Sequence, residues 1–425
     1  MTEIKPSKGK ITVYASDYCV LDSDVARGGG TDETEIIQAI LDKAEEWGGV
    51  YLIMDGAALV RGIKVRSNTT IECLNSECGF YLADGADDAV ISNVHINKYE
   101  IEDKNIVLKG GTYNQNCANQ NMCMPEERMI KEWKCGELMV AFRFFGVENF
   151  VMRDVTIIDQ KRFALLMANW KNVTMDNITV RALNLKFGEN QDGLHFHGPG
   201  EGLRINDCRG CSGDDFIALA PDEGDGKSSM SDIIIDGVYL EDADQGIRLL
   251  SWNEGRLDRV VIRNVFGTFK SFGFFIQPFF AGPCGNFGDI VFENINLEQT
   301  KHKYDYLDPF LFHIGGKIES LRLRNITSSF NDPKFTVINI YEAFSPGYWD
   351  SGVPDKTCIK NLTIENLHIK DSGNKDYIYV NRKVERMQVI NSYADGDPEH
   401  VFIGIGDEGS IEKLDTYLFD GKKNI

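Results

Sequence analysis

A chain of 425 residues with a net charge of -20 and a pI near 4.8 makes a poor partner for nucleic acid or an anionic membrane surface, because a broad acidic field repels phosphate. Its 41 glycines and 11 prolines suit many tight turns better than a linker-rich chain, and no Pro-rich or Gly/Ser-rich stretch marks a domain boundary. One repeat-built domain over residues 1–425 is expected, since a single solenoid absorbs several hundred residues.

Residues 1–16 alternate charged and small side chains and lack the apolar stretch of a signal peptide. No later run is long and apolar enough to span a bilayer. A cytoplasmic protein is the expectation, or a secreted one if a signal has been removed. Thr31-Asp32-Glu33-Thr34, followed by Ile36, Ile37, Ala39, Ile40, Leu41 and Ala44, predicts a capped amphipathic helix over about residues 31–48. Such a helix covers the open end of a repeat-built core. Gly48-Gly49 ends it, and Val50-Tyr51-Leu52-Ile53 reads as a strand. The long segments from Asn116 to Glu137 and from Phe344 to Asp355 are expected insertions that wall off one end of a groove.

From about residue 147 a short pattern recurs: a polar residue, apolar–x–apolar, a polar or turn residue, then another apolar residue. Asn149-Phe150-Val151-Met152-Arg153-Asp154-Val155 is the first copy, and Asn172-Val173-Thr174-Met175-Asp176-Asn177-Ile178 the next. Later copies begin near Leu203, Ile233, Val260, Ile290, Leu321, Leu362 and Met387. The turn position falls at Asp154, Asn177, Asp207, Gly237, Asn264, Asn294, Asn325, Asn366 and Asn391. Alternation with period two buries one face of each strand, and only stacked coils can share that face as a continuous core. Asn, Asp and Gly tolerate the left-handed backbone at a coil corner, and stacked asparagines can hydrogen-bond along the axis. The predicted fold is all-β: a single-stranded right-handed parallel β-helix with a short N-terminal capping helix. A leucine-rich repeat lacks its consensus here, and no helical period of about 3.6 residues supports an α-solenoid.

Two segments place acids where the repeat predicts strands. In Asn190-Gln191-Asp192-Gly193-Leu194-His195-Phe196-His197, Leu194 and Phe196 point inward, so Asp192, His195 and His197 share the outer face. Ser212-Gly213-Asp214-Asp215-Phe216-Ile217-Ala218-Leu219 opens the corresponding strand one coil on. Coils stack about 4.8 Å apart, which would put Asp192 near the aspartate pair. Three close carboxylates cannot all ionise cheaply, so at least one stays protonated at higher pH. One protonated acid and one ionised carboxylate are what glycoside hydrolysis requires. The competing uses are solvated turn residues and a calcium site, which the adjacent histidines suit poorly. A coil later, Asp244-Gln245-Gly246-Ile247-Arg248 places Arg248 within reach of the same groove, to hold a sugar hydroxyl or a carboxylate. Trp252, Gln277 and an outward member of Phe274, Phe275, Phe279 and Phe280 are further candidate sugar contacts. The lone Cys208-x-x-Cys211, with Cys117, Cys123 and Cys135 elsewhere, lacks the ligands a zinc site needs, so reduced and mostly buried thiols are expected.

On these residues the chain resembles glycoside hydrolase family 28, the polygalacturonase family. Gly29 to Thr34 is similar to its N-terminal cap, and Gly110-Gly111-Thr112-Tyr113-Asn114-Gln115-Asn116 to its glycine-rich turn. Asn190-Gln191-Asp192-Gly193 resembles its asparagine-threonine-aspartate-glycine motif. Gly213-Asp214-Asp215 resembles its paired aspartates, and Gly246-Ile247-Arg248 the start of its arginine-isoleucine-lysine motif. The resemblance implies a pectin-lyase-like fold, with Asp214 as the general acid. It also implies that Asp192 and Asp215 activate water for hydrolysis with inversion, and that Arg248 contacts substrate. Asn190, His195, His197, Arg248, Trp252 and Gln277 are the expected substrate-binding residues. The family's glycine-histidine-glycine motif is absent, with no histidine between Pro221 and Asp244, and His195 or His197 is the expected replacement. Leu250 stands where the family has the lysine associated with a uronate carboxylate. The expected partner is a carbohydrate, and no metal or organic cofactor is implied. The sequence carries no signal for oligomeric state. A lyase or sugar-rearranging transferase is the alternative enzyme, though a lyase needs a cation beside the carboxylate and the motifs supply one arginine and no lysine. A non-catalytic, tail-spike-like β-helix is the third reading, against which three adjacent like charges argue.

Overall fold

The computed structural model describes residues 10–121, 139–188, 190–251, 254–277, 285–304, 307–341, 357–370, 376–395 and 402–417. Trp252, Phe279, Phe280, Cys123, Cys135, the segment 344–355 and most of 116–137 lie outside them. The described residues form 25 strands and one α-helix, and the fold is a right-handed parallel β-helix. The chain divides into two compact units, Met1–His195 and Phe196–Ile425. The division falls inside one strand, Leu194–Cys211.

In the first unit, each strand pairs in parallel with one a coil later. The row Leu52, Ile71, Leu108, Met152, Met175 runs in register from coil to coil, and every member is fully buried. The second unit repeats the device with Leu203, Ile233, Val260, Ile290, Leu321, Leu362 and Met387, again all buried. Each such aliphatic side chain contributes roughly 1.5–3 kcal/mol on leaving water. The period-two pattern thus becomes an axial stripe of core.

The corners follow the sequence reading residue by residue. Asp154, Asn177, Asp207, Asn264, Asn294, Asn325, Asn366 and Asn391 all have φ between 48° and 58°, and Gly237 has φ 78°. At Gly237 a Cβ would meet the Asp207 Oδ1 at 2.6 Å, so a side chain there would force the Asp207 carboxylate to move and would sit on a strained backbone. The amides also stack. In the second unit, Asn264 Nδ2 donates to Asp236 Oδ1 (2.6 Å), Asn294 to Asn264 (3.1 Å), Asn325 to Asn294 (2.9 Å) and Asn366 to Asn325 (2.8 Å). The first unit has its own ladder, Asn68–Asn105–Asn149–Asn172, with bonds of 2.8, 3.1 and 3.2 Å.

The N-terminal helix is Thr34–Trp47, ended by Gly48 in the left-handed conformation. It buries Ile37, Ile40, Leu41 and Ala44 against the strands Val50–Met54 and Ile63–Val65. Its start corrects the expected capping pattern. Glu33 is the N-cap and makes no side-chain capping bond. Its carboxylate is buried and accepts from the Val20 amide instead (2.7 Å). Asp32 accepts from the Thr34 amide (3.1 Å), while the Thr31 hydroxyl turns back to Asp22 (3.2 Å). No described helix is long and apolar enough to cross a membrane. Seven described cysteines are free thiols, and burial pushes that of Cys208 up to about 12.

Candidate active site

The aspartate pair sits where a corner becomes a strand. Asp215 begins the strand Asp215–Ala220, whose Phe216, Ile217, Ala218 and Leu219 are fully buried and fix its position. Asp214 is half-buried just before it, and Asp215 is only 3 % exposed. Asp215 is no solvated turn residue: its Oδ2 accepts from Arg248 Nη1 at 3.1 Å, with the arginine side chain 11 % exposed. Arg248 also lies over the Phe275 ring, 4.8 Å from its centroid. A guanidinium held between a carboxylate and an aromatic face is well oriented.

Register explains these contacts. Asp215 pairs with Gln245 and Ala218 with Arg248, and Arg248 pairs in turn with Phe275. Phe275 is followed by His313, and His313 by Asn339. The His313 ring meets Phe275 edge-on at 5.1 Å. Gln245 is buried and donates through Nε2 to Asp214 Oδ1. The turn before Asp214 is fixed through its backbone: Ser212 Oγ donates to the Asp214 carbonyl (2.8 Å), and the Asp244 amide to the Ser212 carbonyl (3.2 Å). The buried Asp244 carboxylate takes Lys270 (2.7 Å) and Lys303. Lys303 Nζ also reaches the Gly213 carbonyl (3.2 Å). The motifs themselves hold one arginine and no lysine, and the structure brings two lysines from outside them to the residue preceding Gln245.

In the first unit, Asn190 is exposed, with φ 52°, and its carbonyl accepts the Asp192 amide (3.0 Å). Asp192 is 1 % exposed and bonded through Oδ2 to His195 Nδ1 at 2.6 Å. His195 lies flat on Phe163, centroids 4.5 Å apart and planes 10° from parallel. Both side chains are covered rather than open to solvent. In the second unit His197 is buried too, with Nε2 3.5 Å from the Glu223 carboxylate. Gln277 is fully buried, and Trp252 lies outside the described residues.

The profile of the glycosyl hydrolases family 28 matches residues 59–338, which include the aspartate pair, Gln245 and Arg248. The chain belongs to that family. Among family members, a polygalacturonase of Brassica napus is 28% identical over 166 residues, 34% of this chain and 40% of that protein. A polygalacturonase of Medicago sativa is 23% identical over 305 residues, 68% of this chain and 70% of that protein. The match thus spans less than half the length of the Brassica protein. An exopolygalacturonase from Thermotoga maritima aligns in structure with a TM-score of 0.54 at 13% identity, over 96% of this chain and 91% of that one, a likeness of fold.

Three residues of this candidate site escaped the motifs. Gln245 carries no charge and stands beside the more conspicuous Asp244. Phe275 could not be told from its core neighbour Phe274, which is fully buried. Lys303 is 90 residues from Gly213 in sequence, so only the coiling of the chain brings the two together.

Proposed function

We propose that this protein is a glycoside hydrolase acting on pectin-like poly- or oligosaccharides. The observation that carries the reading is the ordered pair Asp214–Asp215, one carboxylate held by an amide and the other by an arginine, in a chain of family 28. The two acids face different partners, and difference of environment is what separates an acid from a base. Asp215, beside a guanidinium, is suited to stay ionised. Asp214, next to the ionised Asp215, is the one proposed to carry a proton, because two adjacent like charges are disfavoured.

In the proposed reaction Asp214 protonates the glycosidic oxygen as its bond to the anomeric carbon breaks. Water attacks that carbon from the opposite face, giving inversion, and Asp215 takes the water's proton. Asp192 is proposed to share that task, with His195 fixing its orientation. Arg248 is proposed to contact the sugar, and a cation there suits a uronate carboxylate. Asn190, His197, Trp252 and Gln277 remain proposed substrate contacts. If His195 or His197 does the work of the missing histidine motif, its alanine variant loses turnover; unchanged turnover in both variants removes that role.

The deciding experiment measures products from pectic, hemicellulosic and microbial glycans with wild type and Asp214→Asn side by side. New reducing ends that vanish in the variant, without an unsaturated product, support a hydrolase with this acid. An unsaturated product would point to a lyase, and equal activity in both proteins would discard Asp214 as the acid.

A further inference from the structure

We infer that a row of outward side chains in the second unit, Tyr239–Phe266–Asn296–Thr327–His368–Tyr393, is a second sugar-binding surface that takes a neutral glycan chain. The inference goes beyond the proposed hydrolysis and does not depend on it.

Register builds the row. Tyr239 pairs with Phe266, Phe266 with Asn296, Asn296 with Thr327, Thr327 with His368 and His368 with Tyr393. Each coil contributes one residue, so successive steps of about 4.8 Å carry the row over roughly 24 Å. The row that holds Arg248 is a different one, running through Phe275, His313 and Asn339.

Rings stand at both ends. Tyr239 is 53 % exposed and Phe266 41 %. Strand propensity favours aromatic residues on a pleated face but does not demand them: another outward row of the same coils, Ile234–Val261–Val291, is aliphatic and half-buried. At the far end the rings of His368 and Tyr393 stack, with centroids 4.3 Å apart and planes 23° from parallel. His368 Nε2 lies 2.7 Å from Asp395 Oδ2, which fixes its ring. Between the two ends stand Asn296, exposed, and Thr327, half-buried. Among the described residues neither has a side-chain hydrogen bond. The ladder asparagines two positions earlier, Asn294 and Asn325, bond one another instead.

A pyranose ring has an apolar C–H face and a rim of hydroxyls. Aromatic rings suit the first, and an amide or a hydroxyl suits the second. A glycan chain repeats, and a row that repeats once per coil can meet several of its sugars together. Charge selects among glycans. The six residues include no Asp, Glu, Lys or Arg. One flank is the amide ladder. The other, two positions further along the strands, is Glu241–Thr268–Glu298–Ser329–Lys370, in which acids outnumber bases. In a chain of net charge -20, such a flank repels a uronate polymer and a second copy of the same acidic face, and leaves a neutral glycan unopposed. A glycan held here keeps the protein beside a mixed polysaccharide without occupying the Arg248 row.

The test is affinity electrophoresis of the full chain through gels containing xyloglucan, galactan or polygalacturonate. Every protein in the gels carries Asp214→Asn, so that no polymer is digested. Tyr239→Ser with Phe266→Ser removes one aromatic end, and Tyr239→Trp keeps it. Xyloglucan or galactan should retard the parent chain and the tryptophan variant, and the double serine variant should bind about tenfold or more weakly. Both substituted positions are exposed, so the melting temperature should hold. With Asp214 restored, the double variant should hydrolyse polygalacturonate at the wild-type rate. No retardation by either neutral glycan overturns the inference, and so does equal retardation of parent and double variant. Retardation by polygalacturonate alone, lost in the double variant, overturns the neutral assignment. A dimer seen in sedimentation and lost in the double variant gives the row to a second copy. Neutral-glycan binding without hydrolysis of any glycan removes the proposed function and leaves this surface standing.

Discussion

Two rows of polar side chains run along the second unit and obey opposite rules. One is the corner ladder Asp236–Asn264–Asn294–Asn325–Asn366, the same amide at nearly every rung, each donating to the one before. The other runs from Arg248 through Phe275 and His313 to Asn339, no two members alike. The first row is self-complementary, half-buried at Asp236 and Asn264 and exposed from Asn294 to Asn366. The second begins with a buried ion pair and an aromatic stack. Repetition maintains the solenoid, and the loss of repetition marks where the chain has been given another task. Lys270 and Lys303, which converge on Asp244, extend the same contrast.

The contrast can be broken at several points. Asp214→Asn should do most, lowering turnover by on the order of 10²–10⁴, the contribution of a general acid, with the melting temperature preserved; product assays and a thermal melt check both. Arg248→Met takes the guanidinium away from the buried Asp215 carboxylate, and a loss of about 3 kcal/mol is expected in denaturant unfolding. Adding Asp215→Asn to that variant should recover part of the stability but no activity. In the ladder, Asn294→Ala removes two side-chain bonds and puts a Cβ residue without a polar group at φ 57°. A loss of about 1–2 kcal/mol is expected, less for Asn294→Gly, with turnover unchanged in both. A ladder variant that abolished turnover without unfolding would erase the distinction between the rows.

The smallest effect lies at the exposed pair Arg259–Asp232, bonded at 2.7 Å through both guanidinium arms. The Arg259 bond holds the Asp232 carboxyl down at about 2, below its ordinary 3.8. A depressed carboxylate stabilises the fold above its unfolded value and loses that contribution as pH falls through the folded one. Arg259→Ala should therefore melt slightly below wild type near neutral pH. The gap should close between pH 4 and pH 2 and shrink with added salt.

The fold was legible because its cause is local and repeated. Apolar alternation and a corner Asn, Asp or Gly are visible in any one copy, and all nine predicted corners have positive φ. The helix start was blurred because Asp32, Glu33 and Thr34 are all polar, and the Glu33 carboxylate turns to the Val20 amide instead of capping the helix. Of the candidate site, the acids were legible as charges on strands, as was Arg248. Their partners were not. Gln245 matters through one hydrogen bond, Lys303 through a contact 90 residues distant, and Phe163 through a ring laid on His195; pattern does not encode such pairings. Nor did pattern reveal that Asp192, His195 and His197 are covered, since alternation gives the side of a strand and not what lies over it.

Successive rungs of the corner ladder are separated by 28, 30, 31 and 41 residues of chain, yet the amides meet at nearly the same distance each time. The rungs act as fixed pegs, and the chain between them is slack of adjustable length. Insertions can therefore accumulate in one turn of the solenoid without shifting the side chains of the next, so substrate range can be revised by lengthening loops while the acids stay in place.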